Sequence, residues 1–387
     1  MIRYTTAGES HGKCVIAVIE GIPAGLSIDS EYINVHLSRR QVGYGRGKRM
    51  DIEKDKVIIK SGIRWGETMG SPICLEIENK DWKNNIDIMA IEENKRDDSL
   101  YLTRPRPGHA DLAGAVKYNR RDIRDILERA SARETAARVA AGAVARRLLE
   151  EFDIEIASFT RQIGKVKIDK IIFEPKKIME LTEMSDIRCI ERNIEREMKQ
   201  EIDKAKQEKD TLGGAFTVAV EGVPPGLGSH TQWDLKLDGR IAQALMSVQA
   251  IKGVEVGGGF DMCKKRGSRV HDEIHYDKKE KRFTRSSNNA GGIEGGMTNG
   301  EILVFTAAMK PISSLGKPLK SVDLLSKESV RSEAVRSDVC AVPAAGIIGE
   351  AVVCIEIAKA LVEKIGGDSL GEMKRSYLNY LDQIKNY

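Results

Sequence analysis

Two of the six histidines stand where their chemistry is exposed to use. His11 lies in Gly8-Glu-Ser-His-Gly12, between glycines and next to the hydroxyl of Ser10. His109 lies in Arg104-Pro-Arg-Pro-Gly-His-Ala-Asp111, a stiff Pro-Gly segment that carries two arginines. Neither is on a helical apolar face, where a packed core histidine is the ordinary case. A free imidazole titrates near ~6.5, so a neighbouring ion moves it through neutrality, which suits a proton donor or acceptor. His271 and His275 form a weaker pair: the zinc-protease pattern needs Glu directly after the first His, and here Asp272 follows. They read as one face of a strand, and no metal site is expected.

Arginine gathers where glycine does. Arg39-Arg-Gln-Val-Gly-Tyr-Gly-Arg-Gly-Lys-Arg49 holds four arginines and a lysine in eleven residues, and Arg104, Arg106, Arg129, Arg133, Arg331 and Arg336 fall in other motif-like segments. A guanidinium fork grips a carboxylate or phosphate through two bonds, and glycine lets backbone approach a ligand closely. The pattern points to a small polyanion; RNA is the competing reading of Arg-Gly-Lys-Arg. Ser131-Ala-Arg-Glu134 reads as a capping box that opens a helix over 132–151, with Arg129-Ala-Ser131 at an N-terminus where free amides favour phosphate. Gly291-Gly-Ile-Glu-Gly-Gly-Met-Thr-Asn-Gly300 is not G-x-G-x-x-G and does not open a helix. It is either a hairpin turn or a backbone platform under a flat ligand.

The elements that position these residues repeat. Glu20-Gly-Ile-Pro-Ala-Gly-Leu26 recurs as Glu221-Gly-Val-Pro-Pro-Gly-Leu227, identical at five of seven positions. Each copy follows a strand-like run, 14–19 or 215–220, and precedes a helix-like stretch, 29–40 or 234–250. Thr68-Met-Gly-Ser-Pro-Ile73 and Thr298-Asn-Gly-Glu-Ile302 then each introduce an apolar strand. The expectation is an α+β fold in one domain over 1–387: a layered sandwich of two mostly antiparallel sheets with helices, in pseudo-duplicated halves of about 1–160 and 210–387. A charged segment 165–208 joins them; its stretch 174–208 is dense in Glu and Lys and reads as a solvated helical arm, or a linker with helix in it, without chemistry.

Composition narrows the class. The 387 residues are 41% hydrophobic, enough for a core, and 62 Lys+Arg against 58 Asp+Glu leave a net charge of +4, too near balance for a dedicated nucleic-acid binder. Aromatics at 5% are too few for a stacking surface. The six cysteines, at 14, 74, 189, 263, 340 and 354, include no C-x-x-C spacing and read as reduced thiols. With no apolar run long enough to span a bilayer and no secretory signal pattern at the start, a cytoplasmic protein without membrane contact is expected.

Taken together, the segments Gly8-Glu-Ser-His-Gly12, Arg40-Gln-Val-Gly-Tyr-Gly-Arg-Gly-Lys-Arg49, Arg104-Pro-Arg-Pro-Gly-His-Ala-Asp111, Arg129-Ala-Ser-Ala-Arg-Glu-Thr135, Gly291-Gly-Ile-Glu-Gly-Gly296 and Arg336-Ser-Asp-Val-Cys-Ala-Val-Pro-Ala-Ala345 resemble chorismate synthase. The resemblance runs over almost the whole chain and is weakest at about 165–208 and after Gly366. It implies 1,4-elimination of phosphate from 5-enolpyruvylshikimate 3-phosphate to give chorismate, with reduced FMN needed although no net redox change occurs. It also implies a homotetramer, and a place in the shikimate pathway to the aromatic amino acids.

Residue roles follow from the same resemblance. His11 is similar to the general acid that protonates departing phosphate, and His109 to the proton source near flavin N1. Asp338 resembles the carboxylate that handles the N5 proton, with Ser10 and Ser131 as relay partners. Flavin contacts correspond to Arg129, Ala130, Ser131, Gln249, Ala250, Gly295, Lys310, Pro311, Ile312, Ser313, Ser314 and Arg336. Many relatives have Arg-Ser-Ser where this chain has Arg129-Ala130-Ser131, so a contact at Ala130 must use backbone. Arg40 and Arg46 match positions assigned to NADP but equally suit a substrate anion; Arg49, Arg106 and Arg133 are assigned to the phosphorylated dicarboxylate substrate. For Asp338 a simple Arg336–Asp338 ion pair is the alternative, ahead of a β-like apolar run. NADPH binding stays open, reduced flavin is expected from an external reductase, and two other readings are a flavin/NADPH reductase and a non-catalytic RNA-binding protein.

Overall fold

Every second residue of the strand Cys14–Glu20 is buried, with Val15, Ala17 and Ile19 facing inward, the period-2 pattern of a strand with one face on a core. Strands Arg3–Gly8, Cys14–Glu20, Ile73–Glu78 and Val57–Ser61 pair in that order into an antiparallel four-stranded sheet. A second antiparallel sheet runs Ile251–Val256, Leu303–Met309, Gly214–Glu221, Glu155–Ile163 and Val166–Lys167. The computed structural model describes residues 1–47, 54–169, 172–332 and 338–387.

Two helices fill the space between the sheets. Thr135–Glu150 packs on Cys14–Glu20 and Ile73–Glu78, Val342–Ile365 packs on Glu155–Ile163 and Gly214–Glu221, and the two helices pack on each other. The order sheet, helix, helix, sheet is the expected α+β sandwich. A helix covered on both sides needs no polar face. The Thr135–Glu150 helix is accordingly buried almost throughout, well beyond the stripe Ala136, Ala140, Ala143, Val144 and Leu148. Small residues set the helix separation: a Cβ on Gly142 would stand 2.4 Å from the Cβ of Ala351.

The repeated heptapeptide makes the same turn twice. Thr68 Oγ1 donates to the Pro23 carbonyl and accepts from the Leu26 amide, and Thr298 Oγ1 does the same with Pro224 and Leu227. The Gly25 amide reaches Thr68 O as the Gly226 amide reaches Thr298 O. Gly21 and Gly222 have φ of +81° and +85°, and a Cβ there would strike the carbonyl oxygens of Met1 and Asp153 at 2.3 and 2.2 Å, so glycine is required at both.

Three local expectations are corrected. Ser131 does not open a capping box: its hydroxyl accepts the Arg133 amide at 3.3 Å in a 3-10 turn, Ala132–Glu134, that precedes the helix. The Glu134 carboxylate turns instead to Thr6, Arg138 and Gln249, because Arg138 offers it a charged partner one turn on. The charged segment is not a solvated arm. Its helices Pro175–Thr182 and Arg192–Gln207 bury Ile178, Met198 and Ile202, and Ile187, Cys189 and Ile190 between them are also buried. Few apolar residues suffice when they fall on one side. The apolar run after Asp338 is not a strand but the Val342–Ile365 helix, entered through Pro343, whose fixed φ suits a first turn.

Glu350 ties these layers together. It is 2% exposed and accepts from Arg39 at 2.9 Å, Arg146 at 2.6 Å and the Ser158 hydroxyl at 2.7 Å, with Arg188 at 3.6 Å. Burial raises its pKa, but Arg39, Arg146 and Arg188 outweigh burial and hold it at about 2. A carboxyl depressed below its unfolded value of ~4.3 stabilises the fold in full above that pH and loses the contribution as pH falls further. Glu350→Ala leaves three guanidinium groups without this carboxylate and is expected to cost about 3–5 kcal/mol at neutral pH. Denaturant melts at a series of pH values should show the gap to the parent protein closing between about 4.5 and 2.

Candidate active site

The two central helices start at one cavity of about 670 Å³, which Ala132, Arg133 and Thr135 line from one and Ala341, Ala344, Ala345 and Ile348 from the other. Their N-termini bring positive dipole ends toward whatever occupies it.

His11 reaches the cavity from the turn joining the first two strands. That turn is tight: a Cβ on Gly8 would meet Cys14 O at 2.2 Å. Asn79 braces it from below, donating to Glu9 O at 2.9 Å and Gly12 O at 2.7 Å. Glu128 takes the His11 amide at 2.7 Å and the ring Nδ1 at 2.9 Å on its carboxylate, and the Ser10 amide at 3.0 Å on its carbonyl.

His109 has a carboxylate of its own. Its Nδ1 contacts Asp111, which is fully buried and also takes the Arg106 amide at 3.0 Å and Nε at 2.9 Å. Burial alone would raise the Asp111 pKa, but the hydrogen bonds from His109 and Arg106 hold its carboxyl well below the usual carboxylate range. Arg106 continues to Ser314 Oγ at 3.0 Å, and Lys310 Nζ donates to Gly108 O at 2.7 Å, which closes this wall. Burial, followed by the charge of Lys252, lowers the Lys310 pKa.

The arginines are sunk rather than displayed. Arg40 and Arg133 are 4% and 6% exposed, and one buried carboxylate, Asp55, takes Arg40 at 2.7 Å and Arg133 at 2.5 Å. Asn79 Oδ1 accepts Arg133 Nε at 2.6 Å, so the same amide braces the His11 turn and an arginine. Burial pushes the Arg40 pKa down while Asp55 opposes it, yet a guanidinium stays protonated in proteins. Asp338 pairs with Arg46 at 2.8 Å and accepts the Gly47 amide at 2.6 Å; the Arg336–Asp338 pair lies outside the described residues.

Of the residues singled out from sequence, His11, His109, Asp338, Ser10, Ser131, Ala130, Gln249, Ala250, Lys310, Ile312, Ser313, Ser314, Arg40, Arg46, Arg106 and Arg133 line this one cavity. Arg129 does not: it turns to the carbonyls of Thr6 and Gly8 and holds the first strand. Pro311 is also off the lining, and Gly295 sits in the two-residue hairpin between Ile293–Glu294 and Met297–Thr298. That is the turn form of the glycine loop rather than a platform in this cavity. Arg49 and Arg336 lie outside the described residues. Arg104 also lines the wall. Sequence reasoning passed over Asp55, Asn79, Asp111 and Glu128. The last two sat inside or beside quoted motifs; Asp55 and Asn79 carried no local signal. His275 is on the short strand Ile274–Asp277, away from the cavity.

The family model described as chorismate synthase matches residues 2–362. Chorismate synthase of Geotalea uraniireducens is 54% identical over 100% of both chains, and that of Desulforamulus reducens 57% identical over 97% of each. A crystal structure of chorismate synthase superposes with a TM-score of 0.81 at 44% identity, covering 100% of this chain and 99% of that one. The fold and these relatives define a lyase. The chain belongs to the chorismate synthase family. The matched region includes the charged segment 165–208 and stops just short of the C-terminal helix Leu370–Lys385.

Asp55→Ala strips a carboxylate from two buried guanidinium groups, and thermal or denaturant unfolding should show a loss of about 3–5 kcal/mol. Asp55→Asn keeps an acceptor and should lose less.

Proposed function

We propose that the chain converts 5-enolpyruvylshikimate 3-phosphate to chorismate by 1,4-elimination of phosphate and one ring proton, the shikimate-pathway step toward the aromatic amino acids, and that it requires reduced FMN. The observation that carries this reading is the convergence of two carboxylate-backed histidines with Arg40, Arg46, Arg104, Arg106 and Arg133 on one cavity. A substrate with two carboxylates and a phosphate matches that set of forks.

The residues present fit a flavin. Gln249, Ala250, Met309, Lys310, Ile312, Ser313 and Ser314 join apolar surface to amide and hydroxyl groups and one cation, as a flat ring system with polar edges and a phosphate requires. Bound reduced FMN would supply the transient electron for an elimination with no net redox change. On this reading His11 protonates the departing phosphate, with Ser10 beside it. His109 would hold a proton at the N1 edge of a bound flavin, and Asp338 would take up a proton at its N5 edge, with Ser131 as relay partner. Arg40 and Arg46, sunk in the cavity wall among the other arginines, are read as contacts to substrate anions ahead of NADP. Burial of Arg40 and Arg133 suits a small anion held inside a cavity better than a nucleic-acid backbone, which needs exposed cations. Antiparallel strands throughout both large sheets speak against a dinucleotide-binding reductase, so reduced flavin is read as coming from another protein. NADPH binding is left to experiment.

A homotetramer is proposed from the family, and exposed Trp65, Trp233 and Phe260 offer apolar surface for it. No helix among the described residues is long and apolar enough to cross a membrane, and a cytoplasmic location is proposed with it.

In an anaerobic assay, chorismate should form with chemically reduced FMN and not with NADPH plus oxidised FMN. An equal rate without any flavin overturns the reading. His11→Ala and His109→Ala should each slow turnover by about 10²–10⁴, the usual worth of a positioned acid or base. Near-normal rates in both would remove the proton-transfer assignment. Asp338→Asn should bind flavin and substrate yet turn over at least ~10-fold more slowly, a barrier rise of about 1.4 kcal/mol. Full turnover with early melting would instead make Asp338 an anchor for Arg46 and the Gly47 amide.

A further inference from the structure

We propose that Glu128 is the positioning residue of the proposed acid: it fixes which nitrogen of His11 faces the substrate, and does so through His11 alone. The proposal rests on the reading of His11 as proton donor.

Three donors of one dipeptide end on one residue. The His11 amide donates to Glu128 Oε2 at 2.7 Å, ring Nδ1 lies 2.9 Å from Oε1 and 3.1 Å from Oε2, and the Ser10 amide donates to the Glu128 carbonyl at 3.0 Å. The carboxylate is 3% exposed, whereas the His11 side chain is 24% exposed and lines the cavity. Glu128 lies in the last turn of the helix Arg124–Ala130, 117 residues from His11, so the clamp is a tertiary contact that turn geometry alone would not supply. Arg124, four residues earlier, approaches the same carboxylate at 3.6 Å, at the oxygen Oε1 that Nδ1 also meets.

A carboxylate is an acceptor only, so Nδ1 must carry its proton to satisfy this contact. Nε2 is the ring nitrogen turned away from Glu128, on a side chain that lines the cavity. In proton transfer the Nε2–H bond breaks, an O–H bond forms on the departing phosphate, and the ring passes from imidazolium to the neutral Nδ1–H form. Glu128 accepts from Nδ1–H in both forms, so the ring need not flip or exchange protons between turnovers.

The test is a double-mutant cycle read in kcat and KM with chemically reduced FMN. Glu128→Gln keeps size and an acceptor oxygen but loses the charge. It should lower kcat about 10–100-fold, the usual worth of a partner that orients a functional histidine. KM should change less than about threefold. In a His11→Ala background the same substitution should change kcat no further, because its effect passes through the imidazole. A full additional loss in the double variant overturns the proposal while leaving His11 as the acid. If His11→Ala keeps normal turnover, the acid reading falls and the proposal with it. Should Glu128→Gln fail to fold, ¹⁵N shifts of His11 in the unaltered protein decide: Nδ1 should be protonated at neutral pH, and a neutral ring protonated only at Nε2 overturns the proposal.

Discussion

Two helices packed at glycine distance organise the molecule. Gly142 meets Ala351 so closely that any Cβ on Gly142 would clash, and both helices start at the same end. A sheet must then cover each outer face, because neither helix offers a polar side to water. The cavity follows from the same packing. Where the helices begin, their first turns leave amides and small side chains around open space, and loops from both sheets converge on it. The buried Glu350 cluster locks the arrangement through Arg146 on one helix, Arg39 on Ser30–Gln41 and Arg188 from the charged segment.

Around the cavity the governing constraint is charge. Guanidinium groups at a few per cent exposure need carboxylates, and the chain supplies them from distant elements. Asp55 serves Arg40 and Arg133, Asp111 serves Arg106 and His109, Asp338 serves Arg46, and Glu128 serves His11. Each pairing fixes a side chain that would otherwise sample many rotamers, at the entropy cost of folding rather than of binding. Such a site is built to receive anions without rearranging. Pairing also turns the two arginines at the end of the Ser30–Gln41 helix inward: Arg39 and Arg40 each meet a buried acid.

The internal echo has the same physical footing in both halves. Each copy places a glycine at positive φ over the carbonyl of a residue two positions before another strand, Met1 or Asp153, and hands its next turn to a threonine hydroxyl, Thr68 or Thr298. The halves diverge in what the turn carries onward. After the first copy the Ser30–Gln41 helix ends in the arginines that reach Asp55 and Glu350. After the second, Leu237–Met246 leads through Ala250, at φ +67°, into the edge strand.

Local chemistry was legible along the chain: the glycine-flanked His11, the Pro-Gly segment of His109, the clustered arginines and the repeated turns all depend on near neighbours and on period-2 or helical spacing. Two mostly antiparallel sheets with helices were legible for the same reason. Three kinds of feature were not. Asp55, Asn79 and Glu128 act on partners 15 to 117 residues away; nothing local marks the first two, and Glu128 stands beside the Arg129 motif without its partner His11 in sight. The run after Asp338 is apolar in either a buried helix or a buried strand, and only packing between sheets makes it a helix. The sparse apolar residues of 174–208 become a packed side only once a sheet lies beneath them. Spacing determines what an element is where one of its faces stays polar; which acid neutralises which buried arginine is decided by where the elements meet, because that choice depends on distances that exist only in the folded chain.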